Sequence, residues 1–340
     1  MKTDIEIKAY IETLSAELAV KAGKEPVLLL ASGGVDSTVT AALLLKALTP
    51  SQVHLMYMDA GLMRKNETAQ VKAALEKIGA EHLHIVLCEE EFLASLKGIT
   101  DPEVKRKTIG DLFITVQDRE VKRLNLPSSY FLAQGTICPD MIESGKVPVE
   151  KPVAEENTPV IKSHHNVGSP LVDAKRKEGR LIEPLSKLYK DHVRTLGRFL
   201  GVDDETLRRH PFPGPGLAVR IVGEVTKEKC DLLREAVALF IDELKRRKNS
   251  AGVFLYDDIW QAFAVLLPIR SVGVAGMLRK YGRVIALRAI TSADGMTAEV
   301  YPFLAKDLLE ISARITGEIK EISRVTYDIS SKPPATIEWE

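Results

Sequence analysis

Cysteine is scarce. Only Cys88, Cys138 and Cys230 occur among 340 residues, and none forms a CxxC pair. That argues against a disulfide framework or a cysteine-based metal site, and it fits a reducing compartment. There is no excess of charge of either sign: Lys+Arg and Asp+Glu each total 47. Nucleic-acid binding by bulk electrostatics therefore has no support. No apolar run reaches the ~20 residues that a membrane helix needs. The opening stretch, MKTDIEIKAYIETLSAELAVKAGK, is amphipathic and mixed in charge, and it lacks the apolar centre of a signal peptide. Internal repeats and low-complexity tracts are absent as well. Together these absences predict a cytoplasmic protein with neither a nucleic acid nor a membrane as partner.

What is present is a chain with 45% hydrophobic residues, enough for a sizeable core. At roughly 150 residues per domain the length predicts about two domains. Short apolar runs alternate with helical patterns through the first 200 residues. PVLLLA (26–31), VHLMYMD (53–59), LHIVLC (83–88), SSYFLAQG (128–135) and PVIKSHH (159–165) predict strands. Helices are predicted at 36–48, 66–79, 103–124 and 188–202. This order predicts an α/β fold with a doubly wound parallel sheet. Residues 136–158, rich in Pro, Glu and Lys, predict a mobile loop. HPFPGPGL (210–217) holds three prolines and two glycines and can continue neither a helix nor a central strand. It marks a boundary between domains at 1–209 and 210–340. Beyond it, helices at 227–247 and 303–322 and strands at 260–274, 282–292 and 323–330 predict a small α+β unit.

One stretch carries chemistry. SGGVDS (32–37) stands between the first strand and the first helix of the alternating pattern. Gly33 and Gly34 lack a Cβ, so backbone N–H groups can close on an anion there. The following helix adds free N–H groups and the positive end of its dipole. Ser32 and Ser37 supply hydroxyls, and Asp36 can cap the helix or help to hold a metal ion. No GK[ST] follows, so this is not a Walker A loop, and GxGxxG is absent too.

SGGVDS resembles the PP-loop of the ATP pyrophosphatases, whose fold is of the adenine nucleotide alpha hydrolase-like type. The resemblance implies cleavage of ATP between its α- and β-phosphates, with Mg²⁺ bridging the phosphates. Further stretches resemble the GMP synthase family in that family's own order: DAGLMRKNE (59–67), KRKTIGDLF (105–113), LAQGTICPDMIES (132–144), IKSHHNV (161–167), RHPFPGPGLAVRI (209–221), LPIRSVGV (267–274) and SRVTYDISSKPPATIEWE (323–340). The resemblance implies ATP-dependent adenylylation of XMP, then attack by ammonia to give GMP, AMP and pyrophosphate. It implies that Ser32, Gly33, Gly34, Val35, Asp36 and Ser37 hold the pyrophosphate end of ATP. Asp59, Gly61 and Gly135 would lie near the adenosine, with Asp36 toward Mg²⁺. Lys162 would join Asp36 in catalysis by meeting phosphate charge. Arg106, Arg279, Lys332, Ile337 and Glu338 would bind XMP. The same resemblance makes the C-terminal unit a dimerisation domain and the protein a homodimer.

Residues 1–25 precede the first strand, and no cysteine lies on a plausible nucleophile elbow. The expectation is therefore that the family's glutamine amidotransferase is absent, with ammonia coming from a separate glutaminase subunit or from solution. HHNVGSP and AGMLRKY (275–281) depart from the family pattern, and the basic segment 171–180 predicts an inserted loop. Two other readings stay open. One is a PP-loop paralogue acting on another purine-like substrate or a tRNA. The other is a catalytically silent, nucleotide-binding regulator. Several bland readings also stand: KRK as a polar helix face, and adjacent His164 and His165, which one face cannot present to one metal.

Overall fold

A computed structural model describes residues 3–143, 170–275, 278–292 and 295–340. The predicted strand at 159–165, with Lys162, His164 and His165, lies outside the described residues, as does most of the loop predicted at 136–158. The chain divides into two compact units. The first comprises Met1–Asp59, Glu67–Leu87 and Ile114–Arg209. The second comprises Ala60–Asn66, Cys88–Phe113 and His210–Glu340.

In the first unit, strands β1 (Val27–Leu30), β2 (Val53–Asp59), β3 (His82–Leu87), β4 (Phe131–Ala133) and β5 (Leu181–Ile182) form one parallel sheet in the order β3-β2-β1-β4-β5. The winding reverses between β1 and β4, which makes the carboxyl end of β1 a switch point, where open α/β sheets bind ligands. Side chains alternate between the two faces of each strand. Leu29, Leu55 and Tyr57 pack with helices α1 (Asp4–Ala22), α2 (Val35–Ala47) and α3 (Glu67–Lys77). Leu28, Met56 and Leu132 face the opposite way. The doubly wound expectation therefore holds for this unit.

Two helices of the second unit begin or lie early in the chain: α4 (Glu89–Leu96), and α5 (Pro102–Arg123), whose residues from Ile114 onward belong to the first unit. In the first unit, α6 (Cys138–Glu143) occupies the start of the segment predicted as loop, and α7 (Pro170–Lys177) occupies most of the predicted inserted loop. The correction at α7 has a physical cause. Lys175 is buried, its Nζ lying 3.8 Å from the centre of the Tyr130 ring and donating to the Ser128 carbonyl, so a basic segment gains an inward anchor. Val172 of α7 and Val121 and Leu124 of α5 complete the second layer. Helix α8 (Lys190–Phe199) and the short α9 (Asp204–Leu207) close the first unit. Gly197 of α8 makes a close approach possible. A Cβ there would stand 2.5 Å from Leu207 Cδ2 and 2.8 Å from Val39 Cγ2.

The second unit holds α10 (Lys227–Arg246), the short α11 (Leu255–Asp258), α12 (Ala305–Glu318) and a mixed sheet. Strands β6 (Gln261–Ala275) and β7 (Leu278–Thr291) are antiparallel; β8 (Glu299–Val300) and β9 (Ile322–Tyr327) both pair with β7, β9 in parallel. Segments 60–66 and 88–113 belong here rather than with the first 209 residues, because their polar groups and side chains are used here. The Leu62 carbonyl accepts from Leu217 N at 2.8 Å, the Gly98 N–H donates to Glu224, and buried Phe92 packs on Phe113. The 210–217 boundary is ordered. His210 stacks on Tyr256 at 4.1 Å, its Nε2 donates to the Tyr256 carbonyl at 2.8 Å, and its Nδ1 accepts from Ala262 N at 3.2 Å. No helix among the described residues is long and apolar enough to cross a membrane.

Two outcomes follow. Gly197→Val overpacks the contact of α8 with α2 and should cost about 1–3 kcal/mol in urea unfolding; an unchanged midpoint would contradict the close approach. Burial pushes the His210 imidazole down to about 4, below the 6.5 of an exposed ring. Its stability contribution is complete above about pH 6.5 and is lost as pH falls towards about 4, by about 3 kcal/mol. Denaturation of wild type and His210→Asn between pH 7.5 and 4.5 should show the steeper acid loss in wild type.

Candidate active site

The turn after β1 is built to face an anion. Gly33 has φ +75°, a left-handed conformation that favours glycine, and a Cβ there would meet Val71 Cγ2 at 2.4 Å. Gly34 is the N-cap of α2 and offers no side-chain cap. The first-turn N–H groups of Val35, Asp36 and Ser37 therefore have no intrahelical acceptor, and the positive end of the helix dipole lies beside them. Ser37 Oγ donates to the Gly34 carbonyl at 3.1 Å and lies 3.2 Å from Ser32 Oγ. Thr38 and Thr40, both buried, spend their hydroxyls on the carbonyls of Gly34 and Asp36. The helix interior is thus satisfied while its start stays open.

Gly135 supports this start. A Cβ on it would stand 2.8 Å from Ser37 N and 2.9 Å from the Asp36 carbonyl carbon. Only glycine lets the segment after β4 touch the first turn of α2. Arg209 Nη1 donates to the Gly33 carbonyl at 3.0 Å and lies 3.5 Å from buried Glu67. Asp59, at the end of β2, accepts from the Thr68 hydroxyl. Burial raises the Tyr57 phenol well above its ordinary range, and the Glu67 carboxylate adds to that; it stays neutral beneath the loop.

Asp36 is the charged centre. Its Oδ2 accepts from Lys190 Nζ at 2.6 Å, while its Oδ1 is buried with no hydrogen-bond partner among the described residues. An orphaned carboxylate oxygen suits a hard divalent cation. Among the described residues, no three His, Cys, Asp or Glu side chains converge to hold a metal by themselves. A cation at Asp36 would therefore draw its other ligands from phosphate oxygens and water.

The second unit has its own constellation, around residues 328–340. Arg288 is fully buried, and its guanidinium donates to the carbonyls of Ser330, Thr336 and Ile337 and to Asp328 at 2.7–2.9 Å. Arg220, 1% exposed, makes a two-pronged pair with Glu338 at 2.7 and 3.0 Å and lies over the Phe263 ring. Lys105 Nζ, also fully buried, donates to the Ile221 carbonyl at 2.8 Å and pairs with Glu340. Burial lowers the Lys105 pKa, and Glu340 opposes that shift. Ile337 packs with Phe263, Val265 and Ala286.

The residues singled out in the sequence fall as follows. Ser32, Gly33, Gly34, Val35, Asp36, Ser37, Asp59 and Gly135 belong to the first unit, and Gly61, Arg106, Arg279, Lys332, Ile337 and Glu338 to the second. Arg106 donates to the Glu340 carbonyl. Lys332 Nζ donates to the Gly295 carbonyl at 2.9 Å, and the Lys332 backbone pairs with Ala298. Arg279 is exposed, opposite Val274. Its nine-residue separation from Arg288 along β7 amounts to about 30 Å, so the two do not share a cluster within one chain. Lys162 lies outside the described residues. The sequence reading missed Lys190 and Arg209. Their contacts with Asp36 and Gly33 span 154 and 176 residues, and no local spacing signals them.

Residues 16–104 match the asparagine synthase family, and residues 248–339 match the GMP synthase C terminal domain family. The chain is 49% identical over 338 residues to a GMP synthase [glutamine-hydrolyzing] of Zymomonas mobilis, covering 99% of this chain and 61% of that protein. It is 52% identical over 309 residues to the Bdellovibrio bacteriovorus protein of the same name, covering 91% and 57%. It is 49% identical over 341 residues to that of Bartonella bacilliformis, covering 100% and 62%. The chain thus spans about three fifths of the length of these relatives.

The buried pair generates a prediction. Arg220→Met strands the Glu338 carboxylate and should cost about 3–5 kcal/mol of stability. Amides of residues 328–340 should lose hydrogen-exchange protection ahead of the rest of the second unit. Unchanged protection of the tail would show that Arg220 does not hold it.

Proposed function

We propose that this chain, homologous to GMP synthases along 99% of its length, carries out the ATP-dependent amination of XMP to GMP. The observation that carries the reading is the open first turn of α2 at the sheet's switch point, with an Asp36 oxygen beside it that has no partner among the described residues.

The chemistry runs in two steps. The O2 oxygen of xanthine attacks the α-phosphorus of ATP, and the bond to the β-phosphate breaks, releasing pyrophosphate. Ammonia then adds at carbon 2, and AMP departs with the oxygen that had been O2. An amide-like oxygen leaves poorly and AMP leaves well, so the first step prepares the second. The first-turn N–H groups of α2 and the hydroxyls of Ser32 and Ser37 meet the charge that develops on the departing pyrophosphate without reorganising. Bound Mg²⁺ would supply charge neutralisation on the phosphates, with Asp36 holding it. Asp59 and Gly135 are assigned to ATP with the first unit, and Gly61 to the same ligand.

XMP is assigned to the second unit, to Arg106, Lys332, Ile337 and Glu338, with Arg279 as a further cation. The engagement of Glu338 by Arg220 supports a role for that carboxylate in fixing the tail. Lys162 is assigned to phosphate charge. The chain would act as a homodimer in the cytoplasm. Exposed Val272, Val274, Leu278 and Tyr281 on the β6–β7 hairpin would suit a second copy. Ammonia would come from a glutamine amidotransferase subunit or from solution.

The test is pyrophosphate release from ATP by the purified chain with XMP and ammonium chloride, then with glutamine in place of ammonium. XMP-dependent release with GMP formed from ammonium is expected. Release that ignores XMP would point to another purine-like substrate, and no ATP turnover with any purine nucleotide would point to a silent regulator.

A further inference from the structure

Three histidines meet on one face of the first unit's sheet, at its β3 edge. His54 is the second residue of β2 and stands in register with His82, the first residue of β3. His84 comes two residues later, so its side chain leaves the same face as that of His82. The neighbouring positions of that face are apolar. Leu28 and Met56, in register with His54 and His84, belong to a layer with Tyr130 and Leu132. All three imidazoles are half-buried there. The His54 and His82 rings stack at 4.7 Å. The His54 and His84 rings are nearly parallel with centres 5.6 Å apart, and His54 Nδ1 lies 3.3 Å from His84 Nε2. That exceeds the about 2.7–3.2 Å usual for hydrogen bonds from N–H to oxygen. It matches two nitrogens on one tetrahedral zinc ion, whose bonds of about 2.0–2.1 Å set them about 3.3–3.4 Å apart. Burial, then the two other histidines, brings the His54 pKa down to about 4, and burial, then His82, lowers that of His84. Both rings are therefore neutral at pH 7, each with a lone pair to give.

We propose that His54 Nδ1 and His84 Nε2 chelate a divalent transition-metal ion of the zinc, copper or nickel kind and so tie the edge strand β3 to β2. Imidazole nitrogens suit these metals, whereas Mg²⁺ takes oxygen ligands. Among the described residues no three such side chains converge on one point. His82 lies against the His54 ring and steadies it, and the remaining positions on the metal go to water. A small turn of the two rings about χ2, a broad torsion, brings both lone pairs onto one ion. This site is separate from the cation position at Asp36. His54 is five residues from Asp59, about 17 Å along β2, and lies at the amino end of the strand rather than the carboxyl end. The inference therefore does not rest on the reading of residues 32–37 as an ATP site.

The experiment titrates Zn²⁺ into the full chain, following the histidine ring nitrogens by ¹⁵N NMR and the affinity by calorimetry, with Mg²⁺ as the control. Zn²⁺ should shift His54 Nδ1 and His84 Nε2, and Mg²⁺ should leave both in place. His54→Gln and His84→Gln should each weaken this binding at least about tenfold, since losing even an outer-shell partner costs that much. His82→Gln should keep both nitrogens as ligands. Amide exchange in β3 should slow when Zn²⁺ is bound. Ring nitrogens of His54 and His84 that do not move, with Zn²⁺ taken up only by other histidines or by the cysteine thiols, overturn the proposal. So does an affinity that neither His54→Gln nor His84→Gln changes. The wild-type titration gives the answer even where a variant does not fold, and neither result bears on whether the chain uses ATP or XMP.

Discussion

The contact between Gly135 and the backbone of Asp36 and Ser37 leaves no room for a side chain, and much of the first unit is arranged around it. It sets the height of α2 above the sheet and so the position of every first-turn N–H. Val71 bounds the Gly33 side of the turn, and Arg209 holds the Gly33 carbonyl. The loop is therefore fixed on its protein sides, while the first-turn N–H groups of α2 have no acceptor within their own helix. Donors fixed before the ligand arrives need no reordering as charge develops, which is where an electrostatic site gains most.

The second unit answers a different constraint. It buries three cations, Arg220, Arg288 and Lys105, that would be costly without partners. Each is matched by groups of residues 328–340: carbonyls and Asp328 for Arg288, Glu338 for Arg220, Glu340 for Lys105. This stretch is held because releasing it would strand charge in the interior, a stronger restraint than the apolar contacts of Ile337 alone.

What could be read in the sequence was whatever depends on neighbours. The strands at 27–30 and 53–59 and the helices at 35–47 and 227–246 follow from apolar period, and SGGVDS announces its own turn. The helix at 170–177 was hidden by its basic composition, since the ring of Tyr130 that receives Lys175 lies far off in the chain. The membership of 60–66 and 88–113 in the second unit was hidden in the same way, resting on partners such as Leu217 and Glu224. Lys190 sits inside an ordinary amphipathic pattern, and nothing local distinguishes it from a solvated lysine. Glu338 and Arg106 were marked through family resemblance, but no local pattern signals that the first pairs with Arg220 or that the second reaches Glu340.

The dependence of Lys105, Arg220 and Arg288 on residues 328–340 sets an order of events on the ribosome. These cations are translated 40 to 235 residues before their partners. Until the tail has left the exit tunnel, the second unit must keep them in water, and its interior cannot close. The first unit, whose last residue is Arg209, depends on no later partner of this kind and can fold while translation continues. Synthesis thus delivers a finished phosphate loop before the second unit has assembled its core.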